Sequence, residues 1–475
     1  ISLGVGNTPE HFLHFLALNR LGASIVPMNP DHRGGEIRYQ LLHSKAELVM
    51  ANADRAAAAR AAMVDAPADA PRAPIVEPAD IEHGLPAAPP ARRTVGDAGG
   101  AEIAILYTSG TSGLPKGCIL SNDYLLTAAR SYSEAGGVLA LAPGAERVLN
   151  PLPVFHINCG VNTFGAMLLT RNCLIVPDRF HASSWWQDIA GSGATGMHYL
   201  GVMPPALIKQ PPSPLDRAHR VRFGLGAGCD PTLHADFEAR FGMPLIEVWG
   251  MTETGRFLVN HHEPRLVDTR AFGRERPPLL ARVADDNGQT LPPGQPGELL
   301  VRCEGPDPRK GFFSGYLDDE AATAQAWRGD WFHTGDIVRA DDSGMLYFID
   351  RRKDMIRRSG ENISAGEVEA TLAAHPKVLR VAVMAVPDEL REEEVLAVIV
   401  PAPGTPADLA TAQELSRYCH DQLAYYKAPG WVVFRDDIPV TSTNKLQKHR
   451  IFEQGHDPRA GAIDCRDLKK RDPGR

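Results

Sequence analysis

The sequence predicts an α/β protein in which a large N-terminal domain is followed by a small α+β domain. Two observations support this prediction. Short apolar runs alternate with helical segments up to about residue 350, which is typical of a sheet covered by helices. A run rich in charged residues at 350–361 then precedes a segment with its own pattern of helices and strands.

The large domain is expected to begin with a β-α-β unit. The apolar opening ISLGVGN is followed by a helical pattern over 8–21 and by an apolar run at 23–27. Further strands are expected in the apolar runs at 102–107 and 299–301. Residues 51–100 are rich in alanine, proline and aspartate, and their weak periodicity predicts a surface excursion between two parts of the sheet.

The small domain is predicted to contain a helix over 364–374, strands over 378–386 and 394–400, and a helix near 411–423. The change of pattern places the domain boundary at about residue 352. The charged run at this boundary favours a mobile joint, although a solvated surface loop has a similar composition.

Composition excludes several classes of protein. The 475 residues carry 50 basic and 58 acidic side chains, and a net charge of −8 argues against a dedicated nucleic-acid binder. No apolar run reaches the ~20 residues of a membrane-spanning helix. The seven cysteines are scattered and form no C-x-x-C pair, which is typical of a reduced, cytoplasmic protein and predicts neither a disulfide framework nor a zinc site.

The loop YTSGTSGLPKG at 107–117 is the most informative stretch of the sequence. It follows a predicted strand, its glycines let the backbone approach a ligand, and its hydroxyl groups and lysine suit a polyphosphate. The spacing differs from the Walker loop, which argues against a kinase of that type. The candidate nucleotide-binding residues here are Thr108, Ser109, Gly110, Thr111, Ser112, Gly113 and Lys116.

This loop resembles the phosphate-binding signature of the adenylate-forming superfamily, which includes acyl-CoA synthetases, aryl-CoA ligases, luciferases and adenylation domains. Four more segments resemble motifs of that family in the same order. They are WGMTETG at 249–255, WFHTGD at 331–336, DRRK at 350–353 and TNKLQK at 443–448. The resemblance therefore extends over almost the whole chain.

The resemblance implies both an architecture and a reaction. A domain of two sheets and a distorted β-barrel would span 1–352, with the opening part of the usual domain missing, and a lid would span 353–475 with Lys353 as its hinge. A carboxylic acid would react with ATP to give an acyl-adenylate and pyrophosphate. The acyl group would then pass to coenzyme A with release of AMP, and Mg²⁺ would assist.

The resemblance also implies catalytic roles. Lys445 would stabilise the anionic transition state of adenylation. Glu253 would hold Mg²⁺, with Thr252 directed toward the phosphates, although T-E-T is also typical of a helix N-cap. His156 would flank the carboxylate, although a single histidine is often structural.

Adenosine is expected to contact three further motifs. Trp249 offers a flat face for the adenine, and Asp336 and Arg351 would bind the ribose. The turn GAGCD at 226–230 departs from the Gly/Ala-Pro turn that is usual in the family. The remaining expected nucleotide contacts are Gly228, Cys229, Gly250 and Met251.

The acid and coenzyme A are expected to contact separate groups of residues. The expected acyl pocket consists of His156, Asn158, Val161, Tyr199, Met203 and Gly228. The expected coenzyme A contacts are Arg357, Arg358, Gly360 and Glu361. The form GENIS at 360–364 resembles the carnitine and crotonobetaine CoA-ligase branch, which hints at a small or polar acid.

Two other functions remain open at this point. An enzyme that loads a carrier-protein thiol would share all five motifs, and a non-catalytic nucleotide-binding protein would retain the fold. The expected partners are thus a small carboxylic acid, ATP and coenzyme A, without nucleic acid or a membrane span, and a homodimer is left open.

Overall fold

Short strands joined by helices build the large domain. The computed structural model describes residues 1–83, 98–108, 114–285, 287–351, 355–439, 448, 451–453 and 455–470. The strands of the large domain are β1 (Ser2–Gly4), β2 (Val26–Pro27), β3 (Val49–Ala51), β4 (Ile75–Val76), β5 (Glu102–Thr108), β6 (Lys116–Ser121), β7 (Arg147–Leu149), β8 (Cys173–Ile175), β9 (Gly196–Leu200), β10 (Gly224–Ala227), β11 (Leu245–Gly250), β12 (Phe257–Val259), β13 (Ala271–Gly273), β14 (Leu279–Ala284), β15 (Gly297–Cys303), β16 (Gly315–Tyr316), β17 (Trp327–Arg328), β18 (Trp331–Ala340) and β19 (Leu346–Arg351). Its helices are α1 (Pro9–Leu21), α2 (Gly34–His43), α3 (Ala53–Ala62), α4 (Asn122–Ser133), α5 (Phe164–Thr170), α6 (Trp185–Ser192), α7 (Met203–Ile208), α8 (Pro231–Phe241) and α9 (Glu320–Ala326).

Two sheets with mostly parallel strands position the first motifs. One has the order β2-β1-β3-β4, and its parallel β1 and β2 with α1 between them confirm the predicted β-α-β start. The other has the order β12-β11-β10-β9-β7-β8, with only β12 antiparallel to its neighbour. The carboxyl ends of β9, β10 and β11 therefore meet at one edge, where ligands bind in open α/β sheets.

The described residues 51–83 of the predicted surface excursion are more ordered than the sequence indicates. Helix α3 packs against the first sheet through Ala56, Ala59 and Ala62, all of which are buried, and β4 adds a strand to that sheet. Alanine at this spacing covers a sheet closely but gives a weak hydrophobic pattern, so the sequence did not predict the helix.

Antiparallel strands complete the large domain. A half-barrel sheet has the order β13-β19-β18-β15-β14, and β5, β6 and β16 form a separate small sheet. This arrangement agrees with the two sheets and distorted barrel expected from the family resemblance. The hairpin of β18 and β19 brings Asp336 opposite Arg351 in register, so two expected ribose ligands lie on paired strands.

The small domain has its own sheet and core. Its strands are β20 (Met355–Arg358), β21 (Glu361–Ser364), β22 (Val378–Asp388), β23 (Glu392–Pro401), β24 (Trp431–Phe434) and β25 (Ile463–Asp464), and its helices are α10 (Ala365–Ala373) and α11 (Leu409–Gln422). The sheet has the order β21-β20-β23-β24-β25, with β22 paired to β23. Both predicted helices and both predicted strands are present. The predicted hinge, Lys353, lies outside the described residues.

The lid packs on the large domain through polar contacts. Asn29 Nδ2 donates to Tyr426 Oη at 3.0 Å, and Lys427 Nζ donates to Glu36 Oε1 at 2.6 Å. The hairpin of β20 and β21 also faces the carboxyl end of β9, where Gly360 lies against Leu200. In the part of the chain that the structure describes, no helix is both long and apolar enough to cross a bilayer.

Candidate active site

A cavity of about 710 Å³ lies between the large domain and the lid. It brings together thirteen of the residues expected to bind ligands, from both domains. They are Thr108, Lys116, His156, Asn158, Tyr199, Gly250, Met251, Thr252, Glu253, Asp336, Arg357, Gly360 and Glu361. Lys445 and the loop residues Ser109, Gly110, Thr111, Ser112 and Gly113 lie outside the described residues, as does the side chain of Arg351.

The two ends of the glycine-rich loop are anchored on paired strands. Thr108 ends β5 and Lys116 begins β6, and these two residues are register partners. Lys116 Nζ lies 3.6 Å from Asp319 Oδ2 and 4.9 Å from the ring centre of Tyr316. The lysine is thereby held at the edge of the cavity, where a phosphate group would meet its charge.

Glu253 is a buried carboxylate held by a tyrosine. Its Oε1 accepts a hydrogen bond from Tyr316 Oη at 2.9 Å, and its backbone oxygen accepts one from the Phe313 amide at 2.9 Å. Burial and the nearby Glu253 charge raise the pKa of Tyr316, so the phenol keeps its proton and remains a donor. Strand β12 follows at Phe257, so the interpretation of T-E-T as a helix N-cap is wrong.

The position of Trp249 differs from the sequence prediction. Its side chain is buried next to Phe272, with ring centres 6.3 Å apart, and it does not belong to the described lining of the cavity. Its Nε1 donates to Asp336 Oδ2 at 2.8 Å. Trp249 therefore orients the expected ribose ligand from behind instead of offering a face to the adenine.

A half-buried glutamate that the sequence did not reveal holds the turn after β10. Glu247 Oε2 accepts from the Gly228 amide at 2.8 Å, and Oε1 accepts from the Cys229 amide at 3.1 Å and from the Tyr199 hydroxyl. Burial raises the pKa of Glu247 despite these donors. Gly228 has a φ of 83°, and neither it nor Cys229 is part of the described cavity lining, so the turn supports the cavity wall from outside.

Only part of the group predicted for the acyl pocket lines the cavity. Asn158 and Tyr199 line the cavity, as does His156. Val161 and Met203 are each about 2% exposed, pack in two separate apolar clusters and are not part of the described cavity lining. Val161 lies in a π-helical turn, Asn158–Thr163, and the sequence alone does not show which of its side chains face the cavity.

The lid hairpin of β20 and β21 lines the cavity and also contacts the large domain. Glu361 Oε2 lies 3.5 Å from His156 Nε2. Burial would raise the pKa of Glu361, but the nearby His156, with Lys427 and His32, outweighs burial and lowers it. Gly360 has a φ of 84°, and a Cβ atom at this position would collide with the Leu200 side chain.

Arg358 does not lie where a coenzyme A contact is expected. Its guanidinium is buried inside the lid, and Nε donates to Glu394 Oε2 at 2.8 Å. Neighbouring Arg357 lines the cavity, with Nε 3.5 Å from Glu392 Oε2. Successive side chains of a strand point to opposite faces, so only one of this arginine pair is available to a ligand.

Family models match both domains. The model of the AMP-binding enzyme matches residues 1–317, and that of the AMP-binding enzyme C-terminal domain matches 367–445. The chain is 32% identical over 437 residues to sulfoacetate–CoA ligase of Cupriavidus necator, covering 91% of this chain and 82% of that protein. It is 30% identical over 476 residues to crotonobetaine/carnitine–CoA ligase of Escherichia coli O8, covering 95% and 87%.

Solved structures of CoA ligases are also similar to this chain. A malonyl-CoA ligase with methylmalonyl-CoA and AMP bound has a TM-score of 0.76 at 27% identity, covering 92% of this chain and 90% of that chain. A variant of o-succinylbenzoate CoA synthetase from Bacillus subtilis, bound to a product analogue, has a TM-score of 0.81 at 24% identity, covering 95% and 87%, which supports the fold.

The chain belongs to the AMP-binding enzyme family, the adenylate-forming enzymes. It is an ATP-dependent acyl-CoA ligase, an acid–thiol ligase. The matches confirm the predicted superfamily, its two-part architecture and the resemblance to the carnitine and crotonobetaine branch.

Proposed function

We propose that this ligase carries out two half-reactions in the one cavity, with the lid in a different orientation for each. In the first, a carboxylate oxygen of the acid attacks the α-phosphorus of ATP, and pyrophosphate leaves. In the second, the thiolate sulfur of coenzyme A attacks the acyl carbon, and AMP leaves. The observation that carries the proposal is that Gly360 and Glu361 of the lid line the same cavity as Glu253 and Asp336 of the large domain.

The lid orientation described here suits the second half-reaction. The hairpin of β20 and β21 closes the cavity and brings Arg357 to it, as binding of coenzyme A requires. Lys448, three residues after Lys445, contacts Glu369 Oε1 at 2.9 Å and the backbone oxygen of Val383 at 2.8 Å within the lid. For adenylation, the lid would rotate to bring Lys445 to the nucleotide.

The residues at the nucleotide end have separate tasks. Asp336, oriented by Trp249, accepts hydrogen bonds from the ribose hydroxyls, and Lys116 with Thr108 meets the phosphates. The residues also fit a magnesium ion, because Mg²⁺ usually takes one or two carboxylates together with phosphate oxygens. Glu253 would hold it, and the bound ion would neutralise phosphate charge during adenylation.

Two substitutions should separate the half-reactions. Lys445→Ala should lower ATP–pyrophosphate exchange by ~10²–10³, the loss typical of one transition-state donor, and leave transfer from pre-formed acyl-adenylate to coenzyme A largely intact. Gly360→Ala should have the opposite effect, because its Cβ atom would collide with Leu200 and prevent the lid from closing in this orientation.

Gly404→Ala is the matched control for Gly360→Ala. Gly404 has a φ of 82°, almost that of Gly360, but an added Cβ atom there meets nothing within 4 Å. Backbone strain alone would therefore affect both variants equally. Parallel loss of both half-reactions in Lys445→Ala and Gly360→Ala, or the absence of any acyl-CoA product with free coenzyme A, would contradict the proposal.

We also infer that the enzyme acts in the cytoplasm. All seven cysteines are free thiols, and six of them are buried. Such thiols persist in a reducing compartment. Fractionation of cells that produce the protein at its native level checks this location.

A further inference from the structure

One end of the cavity is lined by side chains of the large domain alone, and one of them, Phe257, is the register partner of Gly250 in the WGMTETG motif. We call this end the inner end. It is lined by Tyr132, Asn158, Asn162, His198, Leu225 and Phe257. Thr108, Lys116, Asp336 and the lid hairpin line other parts of the cavity, so the inner end is left for the part of the acid that lies beyond its carboxylate.

The inner end contains buried polar atoms that have no partner among the described residues. His198 is about 1% exposed, and its Nδ1 has no hydrogen-bond partner, whereas its Nε2 lies 2.9 Å from Tyr132 Oη and 3.4 Å from Thr163 Oγ1. The Oδ1 atom of Asn162 is also buried and unpaired. Because buried polar groups are nearly always hydrogen-bonded in proteins, these two atoms are available to pair with a ligand in the cavity.

These polar groups are neutral. Burial alone lowers the pKa of His198 to about 3, so the ring carries one proton at neutral pH and can donate through one nitrogen and accept through the other. Glu146 and Arg222, whose charges reach Tyr132, pair with each other at 2.7 Å. The inner end can therefore exchange hydrogen bonds with a ligand, but none of its six lining side chains offers a full charge to one.

We propose that the inner end selects a short carboxylic acid whose far end is a neutral hydrogen-bonding group, such as a hydroxyl, a keto oxygen or an amide. This inference rests on the proposed function, because it takes the acid to be the ligand of this part of the cavity. A sulfonate would enter without a countercharge, and a quaternary ammonium group can neither donate to nor accept from His198 and Asn162. An alkyl end would leave both polar atoms unpaired.

The length of the acid is limited by the space available. The cavity of about 710 Å³ must also hold the nucleotide and the end of coenzyme A, which leaves room for a small acyl group. Tyr132 and Phe257, with ring centres 6.1 Å apart, add apolar walls beside the polar atoms. A few carbon atoms between the carboxylate and the polar end match this combination.

The test compares four acids of equal chain length that end in a hydroxyl, a methyl, a sulfonate or a trimethylammonium group. For the wild-type protein, kcat/KM for acyl-CoA formation should be at least ~10-fold higher for the hydroxyl acid than for each of the others. Isothermal titration calorimetry of the same acids with the protein, without ATP, should give the same order of affinity.

Two variants link this preference to the inner end. His198→Phe and Asn162→Leu should each lower the hydroxyl-to-methyl ratio by ~10-fold or more and leave the KM for ATP unchanged. His181→Phe is the matched control, because His181 is a surface residue paired with Asp178, and the ratio should not change. If one inner-end variant fails to fold, the other still decides the question.

The outcomes distinguish this inference from the proposed function. A wild-type protein that binds the sulfonate, trimethylammonium or methyl acid most tightly would overturn the inference, as would variants that leave the ratio unchanged. If calorimetry ranks the hydroxyl acid first but no acid gives an acyl-CoA product, the proposed function fails while the selectivity of the inner end stands.

Discussion

Two buried lysines differ in the charges that surround them. Lys427, between the domains, lies among carboxylates, whereas Lys469, inside the lid, lies beside one carboxylate and an arginine. Lys427 contacts two carboxylates, Glu36 at 2.6 Å and Glu367 at 2.9 Å. Lys469 shares a single carboxylate, that of Glu394, with the guanidinium of Arg358. All of these side chains are nearly inaccessible to water.

The same side chain therefore has opposite pKa shifts in the two clusters. Burial disfavours the charge of Lys427, but Glu36 and Glu367 outweigh it and raise the pKa. Burial lowers the pKa of Lys469 to about 7, and Glu394 does not compensate because Arg358 and Arg391 repel the same charge. The signs of the surrounding charges, and not burial, distinguish the two lysines.

The clusters also differ in what they join. Glu36 belongs to α2 of the large domain, whereas Lys427 and Glu367 belong to the lid, so this cluster exists only when the lid is docked as described. The cluster of Lys469 connects the C-terminal part of the chain to β20 and β23 within the lid. Changes in the first cluster should alter lid orientation, and changes in the second should alter only stability.

The largest effect is expected for Lys427→Met. Removing the lysine leaves buried carboxylates without their partner, which typically costs about 3–5 kcal/mol. The loss should weaken the docked lid, so thioester formation from acyl-adenylate should fall much more than ATP–pyrophosphate exchange. Assays of the two half-reactions on the same preparation measure the difference between these losses.

Lys377→Met is the control for this variant. Lys377 pairs with Glu414 at 2.7 Å, but the pair is half exposed and lies within the lid. Its loss should leave both half-reactions close to wild type, because exposed pairs contribute little. Equal decline of the two half-reactions in Lys427→Met would show that this cluster does not act on lid orientation.

A second substitution should partly rescue the first. Glu367→Gln added to Lys427→Met removes one of the stranded charges, and burial already raises the pKa of Glu367. The double variant should recover ~1–3 kcal/mol of the lost free energy of unfolding, the range of coupling between contacting residues. Denaturant unfolding of the four proteins of this cycle gives the value, and strict additivity would show that the two side chains do not interact.

The next effect concerns the two neighbouring arginines of β20. Arg357→Ala should raise the KM for coenzyme A about 10-fold, because a charged contact to an anionic ligand is lost. Arg358→Met should leave that KM unchanged, because Arg358 is buried against Glu394. Initial rates over a range of coenzyme A concentrations compare the two variants, and a raised KM in Arg358→Met would contradict its structural role.

The last effect concerns the pH dependence of stability, which Lys469→Met should change. The folded pKa of Lys469 is about 7 against 10.5 for the free side chain, so between these values the unfolded chain binds a proton that the folded chain lacks. This lysine therefore makes stability rise with pH across that window, by at most ~1.4 kcal/mol per pH unit. Lys469→Met should remove this rise, because methionine binds no proton in either state.

Urea unfolding at pH 7 and pH 9 measures this slope. Lys470→Met is a control on the adjacent residue, and it should retain the dependence of the wild-type protein. An identical slope in Lys469→Met would show that Lys469 keeps its proton in the folded lid.

The sequence by itself determined the family, the order of the motifs and most of the regular elements. A phosphate-binding loop needs contiguous glycines and hydroxyl groups, and a helix such as α11 repeats its apolar residues every three or four positions, so both leave local patterns. The motif residues Glu253 and Asp336 could be assigned in this way, and the structure brings both to one cavity.

Only the tertiary structure decided which side chains face the cavity. Trp249 and Arg358 stand in recognised motifs but point into the protein. His198 and Asn162 line the inner end, whereas the family resemblance assigns only their neighbours Tyr199 and Val161 to the acyl pocket. The contact of Lys427 with Glu36 joins residues 391 positions apart. Such contacts depend on how sheets, helices and domains pack against one another, and no local spacing of residue types records that packing.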